Sequence, residues 1–560
     1  MRSVRAVLDY LASGGVKYIF GIPAGSVNAF FDELYVFPQI RPIVAKHEGG
    51  ASYMANKYAK ETGEIAICIG SSGPGATNLL TGAANAMREH LPILFITGNV
   101  PLQTIGLNAS QELDAEPLFR PVTKYSVTVK RPEALLAEVA KAVEIALAGV
   151  PGPVHVGVPI DVQLSNVAVA EKDFPQFPLR VAVQPQSDQV KEAARQLANV
   201  KNGLIFVGQG ARGAIDEVIA ASELLGWPIV TTPQAKGLLP ESTPWHRGIF
   251  GFAGHDTATK LVTQAETEAI LIVGSSLGET ATSNYNKHIT ADRFAVQIDI
   301  DTSVFNRFYE NDVSLCGDAA VTLQTMIREW GNLGLEPKQP PLDLAKAEVA
   351  AASATDVFSV APSADTEFNT KSVLLRLQEC VPSDTRYTVD IGEFMSYVIH
   401  HMHVKERNSF DINVHFGPMG IAIGSAIGLK LAAPESTVVS ITGDGCFFMH
   451  GMEILTAKEN KLRILFVVMN NSRLGMVYHG HMLQYGRSHA SFEQEPVNVA
   501  AMVAAMGIPT VRIEKLEDLQ PDVIQSLLSQ DGPALVEVML VDNNVPPMGD
   551  RVKFLSSFGK

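Results

Sequence analysis

Short apolar runs, Gly-rich turns and amphipathic stretches follow one another along most of the chain. The runs are continuously apolar instead of alternating between apolar and polar positions. That pattern is typical of parallel strands that helices bury on both faces. It predicts an α/β fold built from doubly wound parallel sheets. The clearest predicted strands are residues 17–20, 65–69, 93–97, 154–158, 204–207, 270–273, 296–300, 438–442 and 465–469.

Two stretches rich in proline and charge interrupt this alternation, at residues 171–186 and 334–365. Because a chain of 560 residues is too long for one hydrophobic core, we interpret both stretches as linkers. They divide the chain into three predicted domains, 1–170, 187–333 and 366–560. The first and third each contain a strand, a glycine loop and a helix (IAICIGSSGPGATN and VVSITGDGCFFMHG), which is compatible with a duplicated fold.

The charge and composition of the chain narrow the classes of partner. The formal net charge of −15 gives no basic surface excess, which argues against nucleic acid as a partner. Any phosphate-bearing ligand must therefore be held locally, by a metal ion or by backbone N–H groups. No run of about 18 uncharged apolar residues is present, so we expect no membrane span. With four scattered cysteines and a polar N-terminus, the sequence predicts a cytoplasmic protein.

A candidate metal site lies in the third predicted domain. Gly443-Asp444-Gly445 follows one predicted strand and Asn470-Asn471 follows the next, with 24 residues between the two motifs. Because parallel strands end at the same edge of a sheet, we expect the two motifs to lie close together. Carboxylate and amide oxygens suit a Mg²⁺ ion that also binds a diphosphate, and glycines let the backbone approach the anion. Either motif alone is typical of an ordinary turn, but the pair at this spacing predicts a ligand site.

This segment resembles the Gly-Asp-Gly…Asn-Asn signature of the thiamine-diphosphate-dependent enzymes. The resemblance implies that thiamine diphosphate and Mg²⁺ are the cofactors. It also implies that Asp444, Asn471 and the backbone carbonyl of Arg473 are the metal ligands.

Glu48 is the candidate activating group of the first domain. It follows the apolar run 43–45 and precedes a predicted helix, so by position alone it could simply cap that helix. The resemblance implies a different role, in which a glutamate hydrogen-bonds the aminopyrimidine ring of the cofactor and promotes deprotonation of the thiazolium carbon. We therefore predict that Glu48 is the catalytic activator.

Five further segments restrict the resemblance to one group of these enzymes. The segments are GIPAGS, HEGGASYMANKYAKETG, SSGPGATN, ITGNVP and PGPVHVGVPIDV. Their order is similar to that in the acetohydroxyacid (acetolactate) synthases and the related pyruvate oxidases. This likeness implies a pyrimidine-binding first domain, a central domain and a diphosphate-binding third domain. It also implies that Glu48 of one subunit meets the cofactor bound by another subunit, in a homodimer or homotetramer.

The same likeness assigns further residues to the site. Gly25 and Asn78 would line the cofactor pocket, and Gln111 would reach toward the substrate as a second catalytic residue. The expected cofactor-binding residues of the third domain are Ile391, Gly392, Glu393, Phe394, Gly417, Met419, Gly443, Asp444, Gly445, Cys446, Asn471, Gly475 and Met476.

The expected reaction is decarboxylation of a 2-oxo acid, with pyruvate as the favoured donor, followed by joining of the acyl unit to a second carbonyl. The acceptor stays open, because Gly480 stands where branched-chain synthases carry a tryptophan, and Asn108 and Ser110 also depart from the family pattern. FAD in the central domain stays open as well. VGQGARG and TTPQAKGLLP resemble flavin-binding loops, but the segment 274–278 lacks the arginine of the family.

Three alternative functions remain. A non-oxidative 2-oxo acid decarboxylase, or a lyase that cleaves diketones or acyloins, would use the same site without retaining a carbonyl acceptor. An FAD-dependent enzyme resembling pyruvate oxidase would consume oxygen. A catalytically silent regulatory subunit is the non-enzymatic alternative, and the intact Glu48, Asp444 and Asn471 argue against it.

Overall fold

The computed structural model describes residues 1–169, 174–340, 367–540 and 544–557. These residues form three six-stranded sheets in which the paired strands run parallel. The predicted α/β fold class with three doubly wound sheets is confirmed. Parts of both predicted linkers, and the predicted start of the third domain, lie outside the described residues. The domain bounds therefore stay a prediction.

The first sheet contains three strands that are buried along their whole length, which explains their continuously apolar sequences. Its strands are β1 (Tyr18–Gly21), β2 (Arg41–Val44), β3 (Ala66–Gly70), β4 (Ile93–Asn99), β5 (Tyr125–Thr128) and β6 (Val154–Pro159). They are ordered β2-β1-β3-β4-β6-β5. The helices of this domain are α1 (Ser3–Ser13), α2 (Asn28–Glu33), α3 (Glu48–Thr62), α4 (Pro74–Asn78), α5 (Leu80–Arg88), α6 (Glu116–Phe119), α7 (Leu135–Leu147) and α8 (Ile160–Leu164).

The central sheet has a different strand order. Its strands are β7 (Gly203–Val207), β8 (Ile229–Thr231), β9 (His246–Ile249), β10 (Ala269–Val273), β11 (Phe294–Asp299) and β12 (Val313–Cys316). The order β12-β11-β10-β7-β8-β9 reverses direction between β7 and β10, which is where open α/β sheets bind ligands. Its helices are α9 (Ser187–Ala198), α10 (Ile215–Leu225), α11 (Asp256–Thr263) and α12 (Ala319–Asn332).

The third sheet repeats the strand order of the first. Its strands are β13 (Arg386–Val389), β14 (Phe410–Ile412), β15 (Val438–Gly443), β16 (Ile464–Asn470), β17 (Thr510–Ile513) and β18 (Ala534–Met539). The order β14-β13-β15-β16-β18-β17 matches that of the first sheet strand for strand, as a duplicated fold requires. Its helices are α13 (Thr370–Cys380), α14 (Glu393–His401), α15 (Ile421–Ala432), α16 (Asp444–His450), α17 (Ile454–Glu459), α18 (Gly475–Tyr485), α19 (Val499–Ala504), α20 (Pro521–Leu528) and α21 (Gly549–Ser556). Within the described parts of the chain, no helix has the length and apolar character needed to cross a membrane.

Helices α3 and α15 hold the first and third domains together. A Cβ on Gly428 of α15 would lie 2.2 Å from the carbonyl oxygen of Met54, and one on Gly424 would lie 2.7 Å from Cβ of Tyr53. The two helices approach this closely only because glycine has no side chain. Since α3 begins at Glu48, this packing fixes the position of Glu48 against the third domain.

A buried cluster of charges joins all three domains. Asp411 of β14 lies 2.9 Å from the Lys60 ammonium and 3.5 Å from that of Lys57, and Arg212 of the central domain pairs with Glu61 at 2.8 Å. Burial by itself raises the pKa of Asp411, but Lys57 and Lys60 outweigh it and hold that pKa well below its usual range. Burial also lowers the pKa of Lys57 to about 8. The buried ammonium groups of this cluster therefore depend on its carboxylates to balance their charge.

We expect Asp411→Ala to lower the free energy of unfolding by about 3–5 kcal/mol, because it leaves the buried Lys57 and Lys60 without their shared carboxylate. Denaturant unfolding at neutral pH measures the change. Asp216→Ala, which breaks an exposed pair with Arg407, is the control and should cost less than about 1 kcal/mol. Because the native pKa of Asp411 is depressed, its contribution is complete above the ordinary value of 3.8 and is lost as the pH falls through the native pKa. Equal losses in the two variants would contradict the prediction.

Candidate active site

A cavity of about 310 Å³ opens at the carboxyl ends of β13, β15 and β16. It brings together every third-domain residue that the resemblance assigned to cofactor or metal. These residues are Ile391, Gly392, Glu393, Phe394, Gly417, Met419, Gly443, Asp444, Gly445, Cys446, Asn471, Arg473, Gly475 and Met476. The remaining lining residues are Thr370, Met469, Leu474, Val477 and Leu540.

Asp444 supplies the buried carboxylate of this cavity. It is the first residue of α16, directly after β15, and only 4% of it is exposed. Its Oδ1 accepts a hydrogen bond from the backbone N–H of Gly445 at 2.9 Å, whereas Oδ2 has no hydrogen-bond partner among the described residues. Burial raises the pKa of the Asp444 carboxyl to about 6, against the effect of the Gly445 and Ser472 amides. A buried carboxylate oxygen without a partner fits a cation ligand.

Asn471 and Arg473 follow β16 at the same edge of the sheet and line the same cavity. The Asn471 Nδ2 group donates a hydrogen bond to Glu393, and its Oδ1 accepts the backbone N–H of Arg473 at 3.3 Å. With Asp444, this edge offers carboxylate, amide and backbone carbonyl oxygens. Those are the hard ligands that Mg²⁺ prefers when it also binds phosphate oxygens. The residues present therefore fit the metal that the sequence predicts.

The starts of three helices lie around the cavity, α14 at Glu393, α16 at Asp444 and α18 at Gly475. Unpaired N–H groups at helix N-termini attract anions, so three of them suit a diphosphate. Glycines keep these turns close together. A Cβ on Gly392 would lie 2.3 Å from the ring of Phe394, and one on Gly475 would lie 2.2 Å from the Glu393 carboxylate.

Part of the cavity wall is apolar. The Met419 methyl carbon and a Leu474 methyl carbon would lie 3.4 and 3.3 Å from a Cβ on Gly445. Gly417 has a φ of 62°, a backbone conformation that glycine adopts without strain, and the Ile391 side chain packs beside it. An apolar surface beside an anion site suits a cofactor with one charged end and one aromatic end.

Glu48 occupies the start of α3 in the first domain, where it is half-buried. The helix is capped by His47, whose Nδ1 accepts the backbone N–H of Gly49 at 2.9 Å. The Glu48 carboxylate is not that N-cap group, and it instead accepts a hydrogen bond from Asn78 Nδ2 at 2.9 Å. A Cβ on Gly75 would lie 3.1 Å from its other oxygen. The structure thus brings Glu48 and Asn78 together in one half-site.

Gly25 and Gln111 lie in exposed loops beside this half-site. Ser26, next to Gly25, accepts the backbone N–H of Ser72 at 2.8 Å. The Ser72 hydroxyl in turn donates to the backbone carbonyl of Gln111 at 2.7 Å. Gln111 has a φ of 63°, and its carbonyl oxygen would lie 2.9 Å from a Cβ on Gly73. These loops therefore surround the segment that leads to Asn78.

A contact between the first and third domains fixes the backbone just before Glu48. Glu453 of the third domain, 1% exposed, accepts the backbone N–H groups of Lys46 and His47 at 3.0 and 2.9 Å. Thr456 donates to its other oxygen at 2.7 Å. Burial raises the pKa of Glu453 to about 7. No local sequence pattern marks this contact, because its two sides belong to different domains.

Two neighbouring cavities lie at the reversal point of the central sheet. The larger, of about 260 Å³, is bounded by Gly208 after β7 and Gly274 after β10, and a Cβ on Gly208 would lie 2.3 Å from the Gly274 carbonyl oxygen. The second, of about 230 Å³, shares Arg88 and His415 with the first. Lys60, Arg180 and Arg212 are further basic groups that line the larger cavity. The position and charge suit a nucleotide.

The three domains match three family models. Residues 1–118 match the thiamine pyrophosphate enzyme N-terminal TPP binding domain, 190–326 the central domain, and 390–538 the C-terminal TPP binding domain. Each match falls on one of the three sheets. The N-terminal match contains the half-site of Glu48 and Asn78, and the C-terminal match contains a second half-site, with Asp444 and Asn471.

Relatives of this chain are similar over nearly its whole length. It is 30% identical to the probable acetolactate synthase large subunit of Methanocaldococcus jannaschii, over 98% of this chain and 93% of that protein. It is 28% identical to the acetolactate synthase isozyme 1 large subunit of Escherichia coli, over 97% and 94%, and 28% identical to the acetolactate synthase large subunit of Corynebacterium glutamicum, over 98% and 88%. With all three domains matched and both half-sites present, the chain belongs to the family of thiamine-pyrophosphate-dependent enzymes that includes the acetolactate synthase large subunits.

Proposed function

We propose that this enzyme is an acetolactate synthase-like carboligase. It would decarboxylate a 2-oxo acid, with pyruvate as the preferred donor, and join the acyl unit to a second carbonyl compound. The observation that carries the proposal is the single cavity that unites the Gly-Asp-Gly turn, Asn471 and the starts of three helices. Relatives that cover the chain almost completely are named acetolactate synthases, which supports this choice of reaction.

Several polar groups of the first and third domains have a proposed task. Asp444, Asn471 and the carbonyl of Arg473 would hold Mg²⁺, and the helix amides would hold the diphosphate. Glu48, oriented by Asn78, would hold and move a proton at the aminopyrimidine ring. Bound thiamine diphosphate supplies the electron sink for loss of CO₂, whereas the protein supplies orientation and a water-poor surrounding.

Gly480 leaves space near the proposed site, although it does not itself line the cavity. This residue lies one turn beyond Met476 and Val477 on α18, and both of these line the cavity. A Cβ on Gly480 would meet only the methyl carbon of Met548 among the described residues, at 3.7 Å. We infer that no bulky side chain restricts the size of the acceptor at this position. Product analysis identifies the acceptor.

Product analysis with pyruvate, thiamine diphosphate and Mg²⁺ tests the proposed reaction, with and without an added aldehyde or second 2-oxo acid. Acetolactate or a mixed acyloin would support a carboligase and rank its acceptors. Acetaldehyde alone would favour a decarboxylase, and oxygen consumption would favour the oxidase alternative. No consumption of pyruvate would overturn the choice of donor.

We further propose that a second copy of the chain completes each active site, in a homodimer or homotetramer. Glu48 does not line the third-domain cavity, nor does any described residue before Thr370. Beside the start of α3, the apolar side chains of Phe448, Met449 and Met452 are 44%, 58% and 41% exposed. Such a patch favours burial against another subunit. A dimer would bring Glu48 of one copy to the cavity of the other.

Co-expression of Glu48→Gln and Asp444→Ala chains tests this arrangement. In a mixed dimer with shared sites, one site carries both changes and the other carries neither. Random pairing should therefore restore about a quarter of the wild-type activity from two inactive variants. Purification on two different affinity tags isolates the mixed dimer for the assay. If each site lay within one chain, every site would carry a change and no activity would return.

We propose the two central cavities as the site of FAD, a cofactor that the sequence leaves open. Support comes from their place at the sheet reversal, the close glycines Gly208 and Gly274, and the basic side chains of Arg88 and Arg212. The segment 274–278 still lacks an arginine, so the basic groups would have to come from other parts of the chain.

Visible absorption of the purified protein, followed by reconstitution of cofactor-free protein with FAD or ADP, tests this second proposal. Saturable FAD binding that Gly208→Val abolishes, in a variant whose unfolding temperature without cofactor matches the wild type, would support it, since that side chain would displace the Gly274 backbone that bounds the cavity. Binding of ADP alone would assign the cavities to a different nucleotide.

The cytoplasmic location that the sequence predicts stays a prediction.

A further inference from the structure

Glu393 lies at the centre of a buried contact chain behind the proposed metal ligands. It begins α14 and is 8% exposed. Asn471 Nδ2 donates a hydrogen bond to Glu393 Oε1, and His479 Nε2 of α18 lies 3.2 Å from Glu393 Oε2. His479 is itself only 4% exposed. Three elements of the cavity wall, α14, the end of β16 and α18, therefore meet at one carboxylate.

The contact with Glu393 decides which atom of Asn471 faces the metal site. An amide binds a metal ion through its oxygen, not through its nitrogen. Because Nδ2 is engaged by Glu393, Oδ1 points away from that carboxylate. An acceptor behind a metal ligand fixes the ligand's orientation in this way. Glu393 is thus placed to orient Asn471.

His479 holds Glu393 and the start of α18 in this position. A carboxylate beside Asp444 and a diphosphate is repelled by both, so Glu393 needs a donor on its other side. Glu393 Oε2 is buried and forms no hydrogen bond among the described residues, and the imidazole Nε2 of His479, 3.2 Å away, is within reach to supply one. Gly475 allows the contact, because a Cβ there would lie 2.2 Å from Glu393 Oε2. The helix that closes the cavity therefore rests directly on this carboxylate.

We propose that Glu393 and His479 are positioning residues of the cofactor site. Glu393 orients the Asn471 amide so that its oxygen faces Mg²⁺, and His479 holds Glu393 and the start of α18 in place. This inference rests on the proposed thiamine-diphosphate site and goes beyond a direct contact between Glu393 and the diphosphate.

Calorimetric titration of the full-length protein with thiamine diphosphate, at a series of Mg²⁺ concentrations, tests the proposal. His479→Leu should raise the Mg²⁺ concentration for half-maximal cofactor binding by about 10-fold or more. His479→Gln, which keeps an N–H donor, should stay within about threefold of the wild type. Thermal unfolding without cofactor checks that the variants fold. If His479→Leu does not fold, Glu393→Ala takes its place, with the same expected loss.

The outcomes separate this inference from the proposed function. Wild-type Mg²⁺ dependence in folded His479→Leu or Glu393→Ala would overturn the positioning role and leave the cofactor site intact. An equal loss in His479→Gln and His479→Leu would also overturn it, because the N–H donor would then not matter. Failure of the wild-type protein to bind thiamine diphosphate with Mg²⁺ would instead overturn the proposed function.

Discussion

Replacing Glu48 by Gln is expected to lower turnover by roughly 10²–10⁴-fold while thiamine diphosphate still binds. Gln has nearly the same shape, and its carbonyl oxygen still accepts the hydrogen bond that Asn78 donates at 2.9 Å. It has no ionisable group, so it neither takes nor returns a proton at the cofactor. The proposed metal and diphosphate ligands lie in the third domain, so the change leaves them untouched.

The two halves of this expectation are measured separately, turnover by product formation and affinity by calorimetric titration with the cofactor and Mg²⁺. Glu64→Gln, an exposed position just after the same helix, is the matched control and should behave as the wild type. Unchanged turnover in Glu48→Gln would remove Glu48 from catalysis. Equal losses of turnover and of cofactor affinity would make it a binding residue instead.

Whether the sequence predicts a strand depends on where that strand lies in its sheet. The nine predicted strands are all present, and most of them are continuously apolar because helices bury both of their faces. The prediction misses edge strands such as Tyr125–Thr128, whose residues are all half-exposed, and Phe410–Ile412, which is only three residues long. It also misses the inner strand Ala534–Met539. That strand contains Glu537, a fully buried carboxylate that accepts a hydrogen bond from Asn470.

The sequence predicts those residues of the candidate site that a local motif places at the end of a strand. Asp444 and Asn471 are such residues, and the structure puts both in one cavity. The contact of His479 with Glu393 and that of Glu453 with His47 carry no such signal. They join segments far apart in the chain, and each depends on how helices pack in three dimensions. Positioning groups are therefore harder to predict than the ligands they orient.

Asp444→Ala is expected to weaken thiamine diphosphate binding by roughly 100-fold or more at a fixed Mg²⁺ concentration. Changes to residues behind a metal ligand typically cost 10–100-fold in affinity, so loss of the ligand itself should reach at least the upper end. Calorimetric titration with cofactor and Mg²⁺ measures the effect. Asp531→Ala removes an exposed carboxylate of the same domain, 71% exposed and 3.7 Å from Lys461, and serves as the control with wild-type binding.

The same variant should unfold, without cofactor, at the same or a higher temperature than the wild type. Asp444 Oδ2 is buried without a hydrogen-bond partner among the described residues, and such an oxygen destabilises the metal-free protein by about 1–3 kcal/mol. Adding Mg²⁺ and thiamine diphosphate should then raise the unfolding temperature of the wild type and leave that of Asp444→Ala nearly unchanged, because only a protein that binds the cofactor is stabilised by it. A carboxylate that served only the fold would give the opposite order, with the variant unfolding first and both proteins gaining equally from the cofactor. That result would remove Asp444 from the metal site.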